Sequence, residues 1–217
     1  MKRSVIIASL LLVQTLTVLS QGSVTYQTTL GVGKEKYFFL PNPSAPTVAK
    51  NGGTLADYAA FAKVEGDGFY AELWWAPGEG QPEDSLQAVP GSLVTFRTGT
   101  TAGLIRGKSK LDIPGTYGGD KVTLQLRVWD NQGGTIQTWD AALRNYTIGL
   151  RGTSNLFTHE LAGIDRDGSP KLGTGSIANG LTYASFPVPE PSSAALALIG
   201  LGALAFGRIR GISWSRS

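Results

Sequence analysis

The sequence predicts a mainly-β protein: an antiparallel β-sandwich, Ig-like or jelly-roll-like, with one short helix in its body and an apolar helix at each end. Three observations carry this expectation. The chain has 29 Gly and 11 Pro among 217 residues, and they interleave with short Val-, Thr-, Tyr- and Trp-rich runs, as many strands and turns require. Lys121–Trp129 alternates strictly, with Val122, Leu124, Leu126 and Val128 on one side and Lys121, Thr123, Gln125 and Arg127 on the other. That period of two marks a half-buried antiparallel strand. Helix-forming composition is largely confined to residues 54–64 and 192–207.

Taken in order, the first element is an export signal over residues 1–20. Lys2 and Arg3 precede an apolar run from Val5 to Leu19, and Val18-Leu19-Ser20 offers a small-ending cleavage site before Gln21. The run is short for a stable membrane span, and turn-and-strand sequence follows it directly. Residues 21–186 form the body. Besides 121–129, strands are predicted at Val24–Thr28, Gly68–Trp75, Ser92–Arg97, Tyr146–Arg151, Asn155–His159 and Leu181–Phe186. "NGG", "APGEG", "VPG", "TYGGD", "DNQGG" and "DRDGSP" punctuate them with the residues that tight turns demand. Gly53–Gly66 places Leu55, Tyr58, Ala59 and Ala62 at helical spacing, which predicts a short surface helix. The Trp-Asp pairs at 129–130 and 139–140 lack the spacing of propeller blades.

Composition excludes several functions. A chain 41% hydrophobic and 16% charged is no disordered polymer. The net charge of +3 belongs to the ends: Lys2, Arg3, Arg208, Arg210 and Arg216 are five of the 19 basic residues, leaving 14 against 16 acidic ones between them. A body at −2 without a basic cluster has no footprint for nucleic acid. The absence of cysteine excludes disulfides, thiolate metal sites and cysteine nucleophiles.

No catalytic set, cofactor motif or metal cluster assembles in the sequence. His159 is the only histidine, and no G-x-S-x-G elbow accompanies it. Asp165-Arg-Asp167-Gly168 begins like a calcium loop but lacks the later ligands, so an Asx-type turn is expected. Glu72, Asp130, Asp140 and Glu160 are the carboxylates that facing strands would have to bring together for glycoside hydrolysis. Trp74, Trp75, Trp129 and Trp139 are the candidates for stacking on a sugar such as an exopolysaccharide, because one of the adjacent pair must face outward on a strand. Core or rim packing is the competing expectation for all four, and the favoured one.

Residues 187–217 form the third segment. Pro187-Val-Pro189-Glu190-Pro191 deprives the backbone of donors and holds it extended and exposed. Ser192 or Ser193 then caps an apolar run, and every residue from Ala194 to Phe206 is apolar or Gly. The 16 residues from 192 to 207 would span roughly 24 Å as a helix, short of the ~30 Å hydrocarbon core. Arg208 and Arg210 follow, where positive-inside anchoring puts them.

"VPEPSSAALALIGLGALAFGRIR" resembles the PEP-CTERM sorting signal of exported Gram-negative bacterial proteins. The resemblance implies recognition of Pro189, Glu190 and Pro191 by an exosortase, a membrane-embedded cysteine protease or transpeptidase. It also implies transient anchoring in the inner membrane and delivery to the cell surface or exterior. Ile209 splits the arginine pair and "GISWSRS" extends past it, a departure from the tight terminal cluster of the family. "QGSVTYQTT", "GFYAELWWAPGEG", "VTFRTGTTAGLI", "VTLQLRVWDNQGG" and "SNLF" resemble, in order, the body of small uncharacterised proteins carrying that signal. The expected partners are therefore the secretion machinery, an exosortase and the membrane, and the expected body is not an enzyme.

Overall fold

A computed structural model describes residues 21–187, apart from 30, 32, 33 and 146–149. The expected export-signal helix and the expected C-terminal apolar helix lie outside the described residues. Among the described residues no helix is long and apolar enough to cross a membrane.

The described chain is mainly β, in several sheets. Its strands are β1 (Gly22–Tyr26), β2 (Phe38–Phe39), β3 (Lys50–Asn51), β4 (Phe69–Pro77), β5 (Gln87–Ala88), β6 (Lys108–Ile113), β7 (Lys121–Asp130), β8 (Arg151–Thr153), β9 (Phe157–Glu160), β10 (Gly163–Ile164), β11 (Pro170–Lys171) and β12 (Ala184–Ser185). The largest sheet runs β5-β4-β7, with β8 and β9 sharing the far edge of β7. β4 and β7 pair antiparallel over nine residues, from Phe69↔Asp130 to Pro77↔Val122. β1 pairs with β6, and β12 lies between β2 and β3, parallel to the first and antiparallel to the second.

The core lies against one face of the large sheet. Ala71, Leu73 and Trp75 of β4 and Val122, Leu124, Leu126 and Val128 of β7 supply that face. Val24 and Tyr26, Leu111 and Ile113, and Phe38 and Phe186 close it from β1, β6 and the small sheet. Tyr26 ties the layers together, its buried hydroxyl donating to the Ala71 carbonyl.

The other face of β7 departs from expectation. Thr123, Gln125 and Arg127 are buried, so the strand is covered on both sides instead of half-buried. Two excursions cover it. The loop after β4 donates Gln81 N–H to Thr123 Oγ1 and accepts from Arg127 Nη2 at the Glu83 carbonyl. The second runs from Asn131 to Asn145 and contains α1 (Trp139–Arg144), capped by Thr138, whose hydroxyl accepts from Ala141 N–H. Trp129, Ile136, Trp139 and Ala142 form a second small core beneath α1.

Other expectations shift for local reasons. Residues 92–97 run beside β4 but contribute only single bridges, Ala71↔Val94 and Phe96↔Ile105. The helix expected at 53–66 shrinks to one 3₁₀ turn, Leu55–Tyr58, capped by Thr54 and Asp57. Of the expected strand 146–151, only Arg151 and Leu150 are described, and Arg151 opens β8. β6 is not signalled by the sequence, because Lys108, Lys110 and Asp112 interrupt its apolar pattern; its opposite-face residues Leu111 and Ile113 are buried.

Candidate functional site

The expected sorting residues Pro189, Glu190, Pro191, Arg208 and Arg210 lie outside the described residues; what is described is the segment just before them, an exit collar built around β12. β12 sits in the middle of the small sheet, clamped by Phe38↔Ala184 and Asn51↔Ala184 pairings. Ser185 Oγ accepts from Lys50 N–H at 3.2 Å. Tyr58 Oη lies 3.0–3.1 Å from the carbonyls of Lys50, Gly52 and Tyr183 and shares its proton among them. Burial raises the Tyr58 pKa to about 12, so this bond is made by the neutral phenol. Phe186 is 1% exposed and stacks on Phe38 with ring centroids 5.7 Å apart. Phe186, the last buried side chain among the described residues, is followed at once by Pro187, and Pro189 comes two residues later in the sequence.

The four tryptophans are packing residues. Trp129 is fully buried, its indole N–H donating to the Ile136 carbonyl at 3.0 Å, and its ring meets Trp139 edge-on at 6.0 Å. Trp139 and Trp75 are each 6% exposed. The strand alternation does turn Trp74 away from the core, as expected, but that face is covered. Trp74 is half-buried, with the Arg127 guanidinium 3.7 Å from its ring centroid and its indole N–H donating to Glu72 Oε2 at 2.8 Å. Trp75, Trp129 and Trp139 are buried, and the Arg127 guanidinium lies over one face of Trp74, so the four do not present a flat, open row of rings.

The candidate carboxylates are divided. Glu72 is the cross-strand partner of Arg127, and burial raises its pKa while the Trp74 bond and Arg127 oppose that rise. Asp140 acts on the same cluster, adding a small further rise at Glu72. Asp130 instead accepts from Gln132 in the turn after β7, and Glu160 faces Lys121 across the β7–β9 ladder. Only Glu72 and Asp140 are thus brought near each other, with Arg127 stacked between Trp74 and Trp139 in the same cluster.

His159 is 1% exposed and points inward from β9. Burial lowers its pKa, against a hydrogen bond to the Gly175 backbone. Its Nδ1 is buried without a partner. Asp165 forms the expected Asx-type turn: its Oδ1 accepts from Asp167 N–H at 2.9 Å and Ser169 N–H at 2.8 Å, and Oδ2 meets Lys171 at 3.2 Å. Among the described residues no group of three His, Asp or Glu side chains could hold a metal ion.

The described surface includes two depressions. One, of about 580 Å³, lies beyond Trp75 and Pro77, where Arg166 grips both Asp120 oxygens at 2.7 and 3.0 Å. The other, of about 500 Å³, lies beside the exit collar over Phe39, Tyr58 and Phe61, rimmed by Leu55 and Lys63. The sequence did not signal the second, because its aromatic residues come from separated segments, Phe39 on one side and Tyr58 and Phe61 on the other.

Residues 187–210 match the PEP-CTERM protein-sorting motif. No curated protein and no solved structure matches the chain.

Proposed function

We propose that this chain, which carries a PEP-CTERM sorting motif at 187–210, is an exported, non-catalytic surface or extracellular-matrix protein. Its body is a two-layer β-sandwich, and its tail is the substrate of an exosortase. The motif implies export and sorting by that membrane-associated enzyme. The observation that carries the rest of the reading is the position of the motif. It starts at the residue after Phe186, which is 1% exposed and stacked on Phe38, so the motif follows directly on a buried side chain of the body. Processing within the motif would leave the described core, from Val24 to Phe186, in one piece.

The sandwich reading is supported by the β1–β6 pair and the small sheet closing one face of β4 and β7. The non-catalytic reading is supported by the separation of Asp130 and Glu160 from Glu72 and by the burial of His159. A sugar-binding module is the weaker alternative, since Trp75, Trp129 and Trp139 are spent on packing. On this reading the chain engages the secretion machinery and an exosortase, and needs no cofactor and no nucleic acid.

The test is a pair of variants expressed in a host that contains the exosortase. Glu190→Ala keeps both flanking prolines, so the backbone stays extended and only the carboxylate is lost. The uncut precursor should then accumulate in the membrane. Replacing Arg208 and Arg210 by Ser removes the charges that hold the tail at the cytoplasmic face, and uncut precursor should escape the membrane. If Glu190→Ala is processed as well as the unchanged chain while the arginine change alone matters, the segment is a plain anchor and the sorting mechanism is refuted.

A further inference from the structure

We propose that the aromatic, lysine-bearing face around the exit collar docks on the anionic phospholipid surface of the membrane that holds the tail. This rests on the reading of residues 187–217 as a membrane-seated sorting segment. The first argument is length. The apolar run begins at Ala194, seven residues beyond Pro187, the last described residue. Seven residues span at most about 25 Å when fully extended. A domain of this size has a radius of gyration of roughly 15 Å, so its diameter exceeds that tether. The body therefore cannot turn its exit to the far side; the face around the exit stays within about 25 Å of the bilayer.

The second argument is the chemistry of that side. Tyr183, Tyr58, Phe39 and Phe61 form a continuous aromatic chain, with centroids 6.0 Å apart for Tyr183–Tyr58, 4.6 Å for Phe39–Tyr58 and 5.1 Å for Tyr58–Phe61. Tyr37 extends it, 6.4 Å from Phe39. Three lysines each lie over a tyrosine of this chain: Lys36 over Tyr183 at 5.0 Å, Lys50 over Tyr58 at 4.9 Å and Lys63 over Tyr37 at 3.7 Å. Phe39 and Tyr58 are the buried floor of this face, while Tyr37, Phe61 and Tyr183 are half-buried and the lysine ammonium groups lie over ring faces, Lys50 also donating to the Asp57 carbonyl. Aromatic rings with lysines beside them are enriched at the membrane–water interface. The groove between the rings is rimmed by Leu55, which is 45% exposed, and gives acyl-chain carbons an apolar seat. Of the acids on this side, Asp57 is folded back to accept from Thr54 N–H and Thr54 Oγ1, and Glu35 lies near Tyr37. Asp57 also comes within 3.9 Å of Lys50, so part of the attraction to anionic lipid is offset there. Docking would hold Pro189-Glu190-Pro191 at a set height above the bilayer for the membrane-embedded enzyme.

The experiment uses the full chain from Gln21 to Ser217 in two vesicle preparations, phosphatidylcholine alone and phosphatidylcholine mixed with phosphatidylglycerol. Flotation is read first. An amine-reactive acetylating reagent then reports each lysine by mass spectrometry. Lys36, Lys50 and Lys63 should react several-fold more slowly on the anionic vesicles than on the neutral ones, while Lys108 and Lys110 of β6 react equally on both. In Lys63→Glu the protection of Lys36 and Lys50 should weaken. Co-flotation with equal lysine rates on both vesicles overturns the docking and leaves the sorting reading intact. A chain that floats with neither refutes the membrane-seated tail, and the docking with it. Protection that appears only when the vesicles also contain the exosortase assigns this face to the enzyme and overturns the lipid assignment.

Discussion

Replacing Gly152 by alanine tests whether the exit collar is a locked part of the core. Gly152 lies in β8 opposite Val128, with its backbone against Phe186. A Cβ there would overlap Cδ1 of Phe186 and stand 3.1 Å from Cγ and 3.2 Å from Cβ. Carbon atoms pack at about 3.5–4.0 Å, so the ring has to move. Its retreat is opposed by Phe38, stacked on it at 13° between planes. Overpacking of this kind costs about 1–3 kcal/mol. Phe186→Ala empties the same space and costs about 3–5 kcal/mol. The two changes answer the same ring, so they should not add. With the ring gone, the overlaps with Cδ1 and Cγ vanish, only the 3.2 Å approach to Cβ of residue 186 stays, and the methyl group introduced by Gly152→Ala fills part of the cavity. The double variant should be no less stable than Phe186→Ala alone, a coupling of about 1–3 kcal/mol in its favour. The assay is urea unfolding of residues 21–187, followed by tryptophan fluorescence, with the midpoint and the slope both recorded. Costs that add to within about 0.5 kcal/mol would show that Gly152 and Phe186 are not in contact, and the account of the collar would fail.

His159 supplies a pH dependence whose sign follows from its burial. The unfolded chain binds a proton near pH 6.5, and burial holds the folded imidazole below that value. The unfolded state therefore carries more protons as pH falls, so the stability His159 contributes is complete above about pH 6.5 and declines below it, levelling once the folded group also titrates. His159→Gln, which keeps a donor for the Gly175 carbonyl, should remove that part of the change in urea midpoint between about pH 7.5 and 5.5; an unchanged difference would refute the assignment. Trp129→Phe leaves the Ile136 carbonyl without its indole donor in a buried site and should cost about 1–3 kcal/mol, with α1 losing protection from hydrogen exchange before the large sheet does.

Several features follow from the sequence alone because they are local. The period of two in Lys121–Trp129 forces alternate side chains to opposite faces whatever the strand packs against. The turn chemistry of Asp165 is settled by a short side chain within reach of its own backbone. The proline-spaced acid, apolar run and arginines at 187–210 form a linear signal, read by a partner as a sequence, and they are legible without any fold. The division of the carboxylates, the fate of the tryptophans and the exit collar depend instead on which distant segments meet. Nothing near Trp74 announces that Arg127, 53 residues later, will lie on its ring, because that contact exists only once β4 and β7 pair in register. Nothing in Thr123, Gln125 and Arg127 distinguishes a wet face from a covered one. Polar side chains suit both when a loop brings the partners they need, and the residues 78–86 and 131–145 bring them. The aromatic face at residues 37–39, 58–61 and 183 is likewise created by β12 sliding between β2 and β3. Local sequence chose the strands, the turns and the address at the end of the chain. The pairing of strands distant in sequence decided which side chains were buried, because burial depends on long-range closure and not on a residue's own neighbours.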